Sequence, residues 1–89
     1  MPFVIGRSQN ANLTVDYKMA SREHFTLDYS RGKFVLIDKS TNGSYLKAED
    51  RQPIYLRREE TALRQQGVIS FSVEADFQPG LHLIDYLVS

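Results

Sequence analysis

Arg7, Ser21, His24 and Asn42 are the residues whose types and spacing can do chemistry in this chain. Each stands on a short turn beside a β-patterned run. Arg7 follows Gly6, Ser21 opens the run Ser21-Arg22-Glu23-His24, and Asn42 lies within Ser40-Thr41-Asn42-Gly43. A guanidinium presents a planar fork of donors that matches oxyanion geometry, which a lysine ammonium does not. A serine hydroxyl is a compact donor, and an asparagine amide both donates and accepts. Brought together, these groups can hold a phosphate and the backbone beside it. Each also has a plainer reading. Arg7 is then a surface arginine at a strand end, Arg22 a solvated charge, and Ser21 a turn serine bonding its own backbone. Asn42 becomes a type I′ turn residue at positive φ. His24, leading into Phe25, reads better as a buried brace than as a ligand contact.

The elements that must position these residues read as short strands punctuated by turns. Phe3-Val4-Ile5 is a buried run ending at Gly6, and Leu13-Thr14-Val15 a second, brief one. From His24 to Ser30 the pattern alternates, with Phe25, Leu27 and Tyr29 on one face, the signature of a half-buried strand. Lys33 to Asp38 is apolar on both faces, which suits a central strand. Ser30-Arg31-Gly32 between them is a hairpin turn with Gly32 at positive φ. Asn42-Gly43 is a further turn. Ser44-Tyr45-Leu46 and Ile54-Tyr55-Leu56 flank a polar loop, Lys47 to Pro53. Val68 to Ser72 is entered through Gly67, and Pro79-Gly80 turns into a last run, Leu81 to Val88. Arg57 to Gln66 is rich in helix formers. The β pattern on both sides favours strand-loop-strand there, with Glu60 to Leu63 extended. Many short strands at this spacing imply an all-β sandwich.

Length and composition bound the rest. The 89 residues make a single domain, 1–89, able to bury about 60% of its unfolded surface. No cysteine is present, so no disulfide staples the fold and a reducing, cytoplasmic setting is expected. No apolar run is long enough to span a membrane, and the N-terminus lacks the pattern of a secretory signal. The net charge of +0 hides an asymmetry: residues 1–47 carry seven Lys/Arg against four Asp/Glu, and residues 48–89 four against seven. Nucleic-acid binding usually shows a broader basic excess. A small excess that coincides with Arg7, Ser21 and Asn42 fits a localised anionic ligand better.

In order and spacing, Gly6-Arg7, Ser21-Arg22-Glu23-His24, Asp38-Lys39-Ser40-Thr41-Asn42-Gly43-Ser44 and Gly67-Val68-Ile69-Ser70-Phe71 resemble a forkhead-associated (FHA) domain, the phosphothreonine-peptide reader. The match runs from Val4 to about Ser72. The resemblance implies a β-sandwich of two mostly antiparallel sheets and a non-enzymatic signalling module needing no cofactor or metal. It also implies that Arg7 and Ser21 contact the phosphate, with Arg22 adding charge nearby. Asn42 would clamp the peptide backbone and Thr41 line the pocket. Gly6, His24 and Gly43 would hold the loops, and Ser8 to Asn12 with Lys39 to Asn42 would read residues after the phosphothreonine. The segments Phe34 to Asp38 and Leu56 to Glu60 resemble FHA modules appended to bacterial class III adenylate and guanylate cyclases. Two features depart from the family. It has one more N-terminal strand before Phe3, which points to a module excised from a longer protein, and it often has glycine where Ser72 stands. Without that strand, Leu81 to Val88 is expected to lack a neighbour, and such an edge invites a homodimer or strand swap.

Two other classes remain. One is an FHA-fold interaction or oligomerisation module that does not need phosphate. The other is an enzyme, since Ser21, His24 and Asp38 can be drawn as a hydrolase triad. The chain has no Gly-x-Ser-x-Gly elbow, no zinc-ligand spacing and no Gly-rich loop opening a helix.

Overall fold

The computed structural model describes residues 2–49, 51–71, 76–80 and 82–88. Among the described residues nine strands form two sheets. The first has the order β2-β1-β3-β4-β7, with β1 Phe3–Gly6, β2 Leu13–Thr14, β3 Phe25–Ser30, β4 Lys33–Asp38 and β7 Glu60–Ala62. The second has the order β6-β5-β8-β9, with β5 Ser44–Ala48, β6 Ile54–Leu56, β8 Gln66–Ser70 and β9 Leu83–Leu87. All pairings are antiparallel except β1 with β2. This is the all-β sandwich of two mostly antiparallel sheets that the resemblance implies.

Register follows the hydrophobic pattern. Phe25 pairs with Ile5 and Leu27 with Leu36, so β1, β3 and β4 turn one apolar face inward. The core gathers Ile5, Ala20, Phe25, Leu36, Leu46, Leu56, Ile69 and Phe71. At its centre Phe25 stacks on Phe71, ring centroids 5.3 Å apart. That geometry adds to plain area burial.

The alternation fails at the ends of strands. Phe3 is exposed rather than part of a buried run, and Tyr29 is exposed despite sharing its face with Phe25. Tyr29 lies at the far end of β3 and tilts onto Phe34, 4.8 Å between centroids. Thr26, on the supposed polar face, is buried because Val4 and Ile37 flank it in register. Val15 falls outside β2 and packs against the core.

The β3–β4 hairpin closes at the Ser30–Lys33 pair, leaving a two-residue loop. Both loop residues take positive φ, Arg31 at 55° and Gly32 at 77°. That is a type I′ turn, whose twist matches the flanking strands. The sequence assigns this freedom only to Gly32. Residues 60–62 are extended as expected, paired with β4 from Val35 to Ile37. Tertiary pairing here overrides the helix propensity of the segment.

The last strand corrects an expectation. β9 does have a neighbour: it pairs with β8 over five positions, from Gln66–Leu87 to Ser70–Leu83. Among the described residues its other edge is unpaired. Leu81 and Ser72 lie outside the described residues.

Candidate anion-binding site

The site forms where the turns after β1, before β3 and after β4 meet. Gly6 makes the meeting close. A Cβ there would overlap the carbonyl oxygen of Arg22. Backbone bonds lace the two turns together: Arg7 N–H to Ser21 O at 3.0 Å, Ser8 N–H to Arg22 O at 3.0 Å, and His24 N–H to Ile5 O at 2.9 Å. The Arg7 side chain runs outward, and one of its Nη groups donates to the Lys18 carbonyl at 3.2 Å. The guanidinium is thereby tethered at the rim with donors to spare.

His24 is the brace. Fully buried, it packs edge-on against Phe71, centroids 4.9 Å apart. Its Nδ1 accepts the Ser21 N–H at 2.9 Å, and its Nε2 lies 2.9 Å from the Gly43 carbonyl. The first bond fixes the tautomer, so Nε2 carries the proton and donates to Gly43. Burial lowers the pKa of His24, while the bond to Gly43 and the charge of Asp38 raise it. One neutral imidazole thus ties the Ser21 turn to the Gly43 loop.

Ser21 completes the bridge from the other side. Its hydroxyl oxygen accepts the Thr41 N–H at 3.1 Å. It bonds across to the neighbouring loop, not to its own backbone. Since that bond uses an oxygen lone pair, the hydroxyl proton stays available to an anion. The Thr41 amide, by contrast, is consumed.

The loop after β4 is built on Asp38, a residue the sequence reading leaves in the scaffold. Its buried Oδ1 accepts from the Ser40 N–H at 2.9 Å, the Ser40 hydroxyl at 2.8 Å and the Arg58 N–H at 3.2 Å. Its Oδ2 accepts from the Ser44 hydroxyl at 2.6 Å. Ser40 Oγ in turn accepts the Gly43 N–H at 2.7 Å. Such a knot satisfies a buried carboxylate without a cation. The sequence signal was present in the spacing Asp38-x-Ser40-x-x-Gly43-Ser44, short polar side chains that cap their own turn.

Gly43 takes φ +91°, and a Cβ there would overlap the Tyr55 phenol. Asn42 is not at positive φ, contrary to the type I′ reading; Gly43 alone supplies that conformation in this loop. The Asn42 carbonyl accepts the Tyr55 hydroxyl at 2.8 Å. Its half-buried side-chain amide has no hydrogen-bond partner among the described residues. No sequence signal marks Tyr55, since its contact depends on β5–β6 register.

The structure brings Arg7, Ser21, Thr41 and Asn42 to one cluster of turns, with Gly6, His24 and Gly43 beneath them. Arg22 is exposed beside them, its carbonyl in the bridge to Ser8. The hydrolase triad is not assembled. His24 has both ring nitrogens engaged with backbone, and Asp38 is occupied by Ser40, Ser44 and Arg58.

A two-sheet all-β module that holds an arginine, a serine and an asparagine on braced turns is a binding scaffold. The model of the FHA domain matches residues 3–72, and the chain belongs to that family. Rv1747 FHA-1 of Mycobacterium tuberculosis is 27% identical with a TM-score of 0.59, covering 79% of this chain, which spans 65% of that one. An FHA domain solved in a study of phosphothreonine-dependent FHA interactions is 28% identical with a TM-score of 0.59, over 76% of this chain and 65% of that one. The FHA domain of human APLF, solved with an XRCC1 bisphospho peptide, shares the fold. Its TM-score is 0.71 at 22% identity, over 99% of this chain and 80% of that one. No curated relative matches the chain.

Proposed function

We propose that this chain is a phosphothreonine-peptide-binding signalling module, cytoplasmic and non-enzymatic, that recruits or regulates a phosphorylated partner or its own parent protein. The observation that carries this reading is the Ser21 hydroxyl. It accepts from Thr41 N–H, keeps its proton for an anion, and is bridged to the tethered Arg7 by backbone bonds. The phosphothreonine-dependent relative at 28% identity supports the same ligand class. Phosphate brings about −1.5 to −2 charges at neutral pH, which a neutral threonine lacks.

Isothermal titration with a phosphothreonine peptide and its unphosphorylated twin tests the proposal. Arg7→Ala should weaken the phosphorylated complex about ten- to hundredfold, the loss of a charge-assisted hydrogen bond. Equal affinity for the two peptides would sink the reading.

A second reading rests on β9. Its outer edge, unpaired among the described residues, and the 74% exposed Leu87 suit pairing with a second copy. On this reading the module forms a homodimer or strand swap through residues 81–88. Light scattering that reports a clean monomer at high concentration would remove it.

A further inference from the structure

Two sheet edges border a groove at the end of the sandwich away from Arg7, Ser21 and Asn42. β7 is an edge strand of one sheet and β6 of the other. The groove between them has a volume of about 1300 Å³ and is open on one side. It lies at the Lys33 end of β4, whereas the loop carrying Asn42 leaves from the Asp38 end. The length of that strand, about 17 Å, separates the two ends. None of Arg7, Ser21 or Asn42 lines the groove.

Its walls are apolar and its rim is cationic. Leu46 lines it at 4% exposure, while Ile54, paired with Leu46 in register on the same inward face, is 43% exposed. Leu63 packs on the core from the opposite wall. The inward faces of the sheets are thus incompletely covered at this end. Lys33, Arg51 and Arg64 line the rim, against Glu49 as the lining carboxylate among the described residues. Among those residues no carboxylate pairs with any of the three cations. Such a local excess attracts an anionic ligand. Small-molecule sites measure about 300–1,000 Å³ and enclose their ligand, so a larger, open groove suits an extended chain better.

β7 offers backbone as well. The Leu63 N–H donates to the Phe34 carbonyl and the Asp38 N–H to the Glu59 carbonyl, each at 2.8 Å. Residues 59, 61 and 63 therefore face β4. By alternation Glu60 and Ala62 turn their N–H and C=O groups to the other side, where no strand pairs among the described residues. An open edge of this kind is a template for an added strand. Antiparallel addition is the mode of every pairing in this fold except β1 with β2. It would set the N-terminal end of the added chain at the Ala62 end of β7, where Arg64 follows and Lys33 opens β4.

We infer that the groove between β6 and β7 is a second docking site, for an extended peptide that adds antiparallel to β7. Acidic residues at the peptide's N-terminal end meet Arg64, Lys33 and Arg51, and apolar side chains at alternate positions beyond them enter the groove against Ile54 and Leu63. The site stands apart from the phosphothreonine reading, and neither falls with the other.

The test is a panel of short labelled peptides, acidic at the N-terminal end and then alternating Val, Leu or Ile with Thr. A second set runs in reverse order and a third carries Lys in place of each acid. Binding is read by fluorescence anisotropy and mapped by backbone amide shifts of the intact chain. Acid-first peptides should bind at least about fivefold more tightly than the Lys set, with the gap narrowing at high salt, and should shift the Glu60 and Ala62 amides. Arg64→Ala should weaken them up to about fivefold. Ala62→Pro removes an N–H on the open side and no bond to β4, so it should abolish binding; proline is tolerated on such an edge. Should that variant not fold, Arg64→Ala with the amide map decides alone. No binding, equal binding of the Lys set, or shifts at β9 in place of Glu60 and Ala62 overturns the inference. Self-association through the same amides also overturns it, by assigning the groove to a second copy.

Discussion

His24 Nε2 donates to the Gly43 carbonyl across 2.9 Å, while its Nδ1 accepts from Ser21. A protonated ring would confront the Ser21 N–H with a second donor and place a charge in the core. Burial accordingly lowers the His24 pKa from the usual 6.5. The unfolded chain therefore binds this proton at higher pH than the folded one. The stabilisation is complete above pH 6.5 and declines as pH falls through the lowered folded value. From one group the slope is at most about 1.4 kcal/mol per pH unit. Urea unfolding between pH 8 and 5 should show this decline, and His24→Gln should lack that component. Identical pH profiles for the two proteins would remove the linkage.

Asp38 is predicted to matter more for stability than any of the serines it binds. Asp38→Ala leaves the Ser40 and Arg58 amides and two hydroxyls without their acceptor. Unsatisfied buried groups cost about 1–3 kcal/mol each, and hydroxyls can re-aim, so a net loss of about 3 kcal/mol is expected. Ser44→Ala removes one bond and should cost about 1 kcal/mol. Chemical denaturation of both variants gives the comparison. Equal midpoints would mean that the carboxylate does not organise the loop.

These two predictions mark what the sequence did and did not disclose. The strands, the inward faces of Phe25 and Leu36, and the grouping of Arg7, Ser21 and Asn42 were legible because period-two patterning and short turn motifs are local signals. Asp38, Tyr55 and Arg58 were not read as site residues. For Asp38 the signal lay in the local spacing Asp38-x-Ser40-x-x-Gly43-Ser44, whereas the contacts of Tyr55 and Arg58 span 13 and 20 positions and depend on the β5–β6 and β4–β7 pairings. The exposure of Phe3 and Tyr29 was equally hidden, since it depends on where the opposite sheet ends. Helix propensity over residues 57–66 misleads for the same reason: pairing of β7 with β4 decides the conformation.

Gly43 should tolerate no side chain. Its φ of +91° disfavours any L-residue, and an alanine methyl would meet the Tyr55 ring. Gly43→Ala is expected to destabilise the fold by about 1–3 kcal/mol and to lower phosphopeptide affinity by displacing the neighbouring Asn42. Tyr55→Phe is the milder partner. It removes only the bond to the Asn42 carbonyl, costing about 1 kcal/mol and leaving the ring in place. Thermal unfolding ranks the two; a Gly43→Ala protein as stable as the parent would contradict the steric argument.

Asn42 separates binding from folding. Its backbone carbonyl is held by Tyr55, but its side-chain amide makes no hydrogen bond to the described protein. Asn42→Ala therefore deletes no internal bond, and with φ outside the positive range it adds no backbone strain. Stability should change by no more than about 0.5 kcal/mol, as for surface substitutions generally. If the amide clamps the peptide backbone, affinity for a phosphothreonine peptide should fall about tenfold or more, since a paired amide–backbone contact is lost on both sides. Denaturation and titration on the same preparation distinguish the outcomes. A large loss of stability would assign Asn42 to the loop's own architecture. Unchanged affinity at unchanged stability would take it out of the site, leaving Arg7 and Ser21 to hold the phosphate alone.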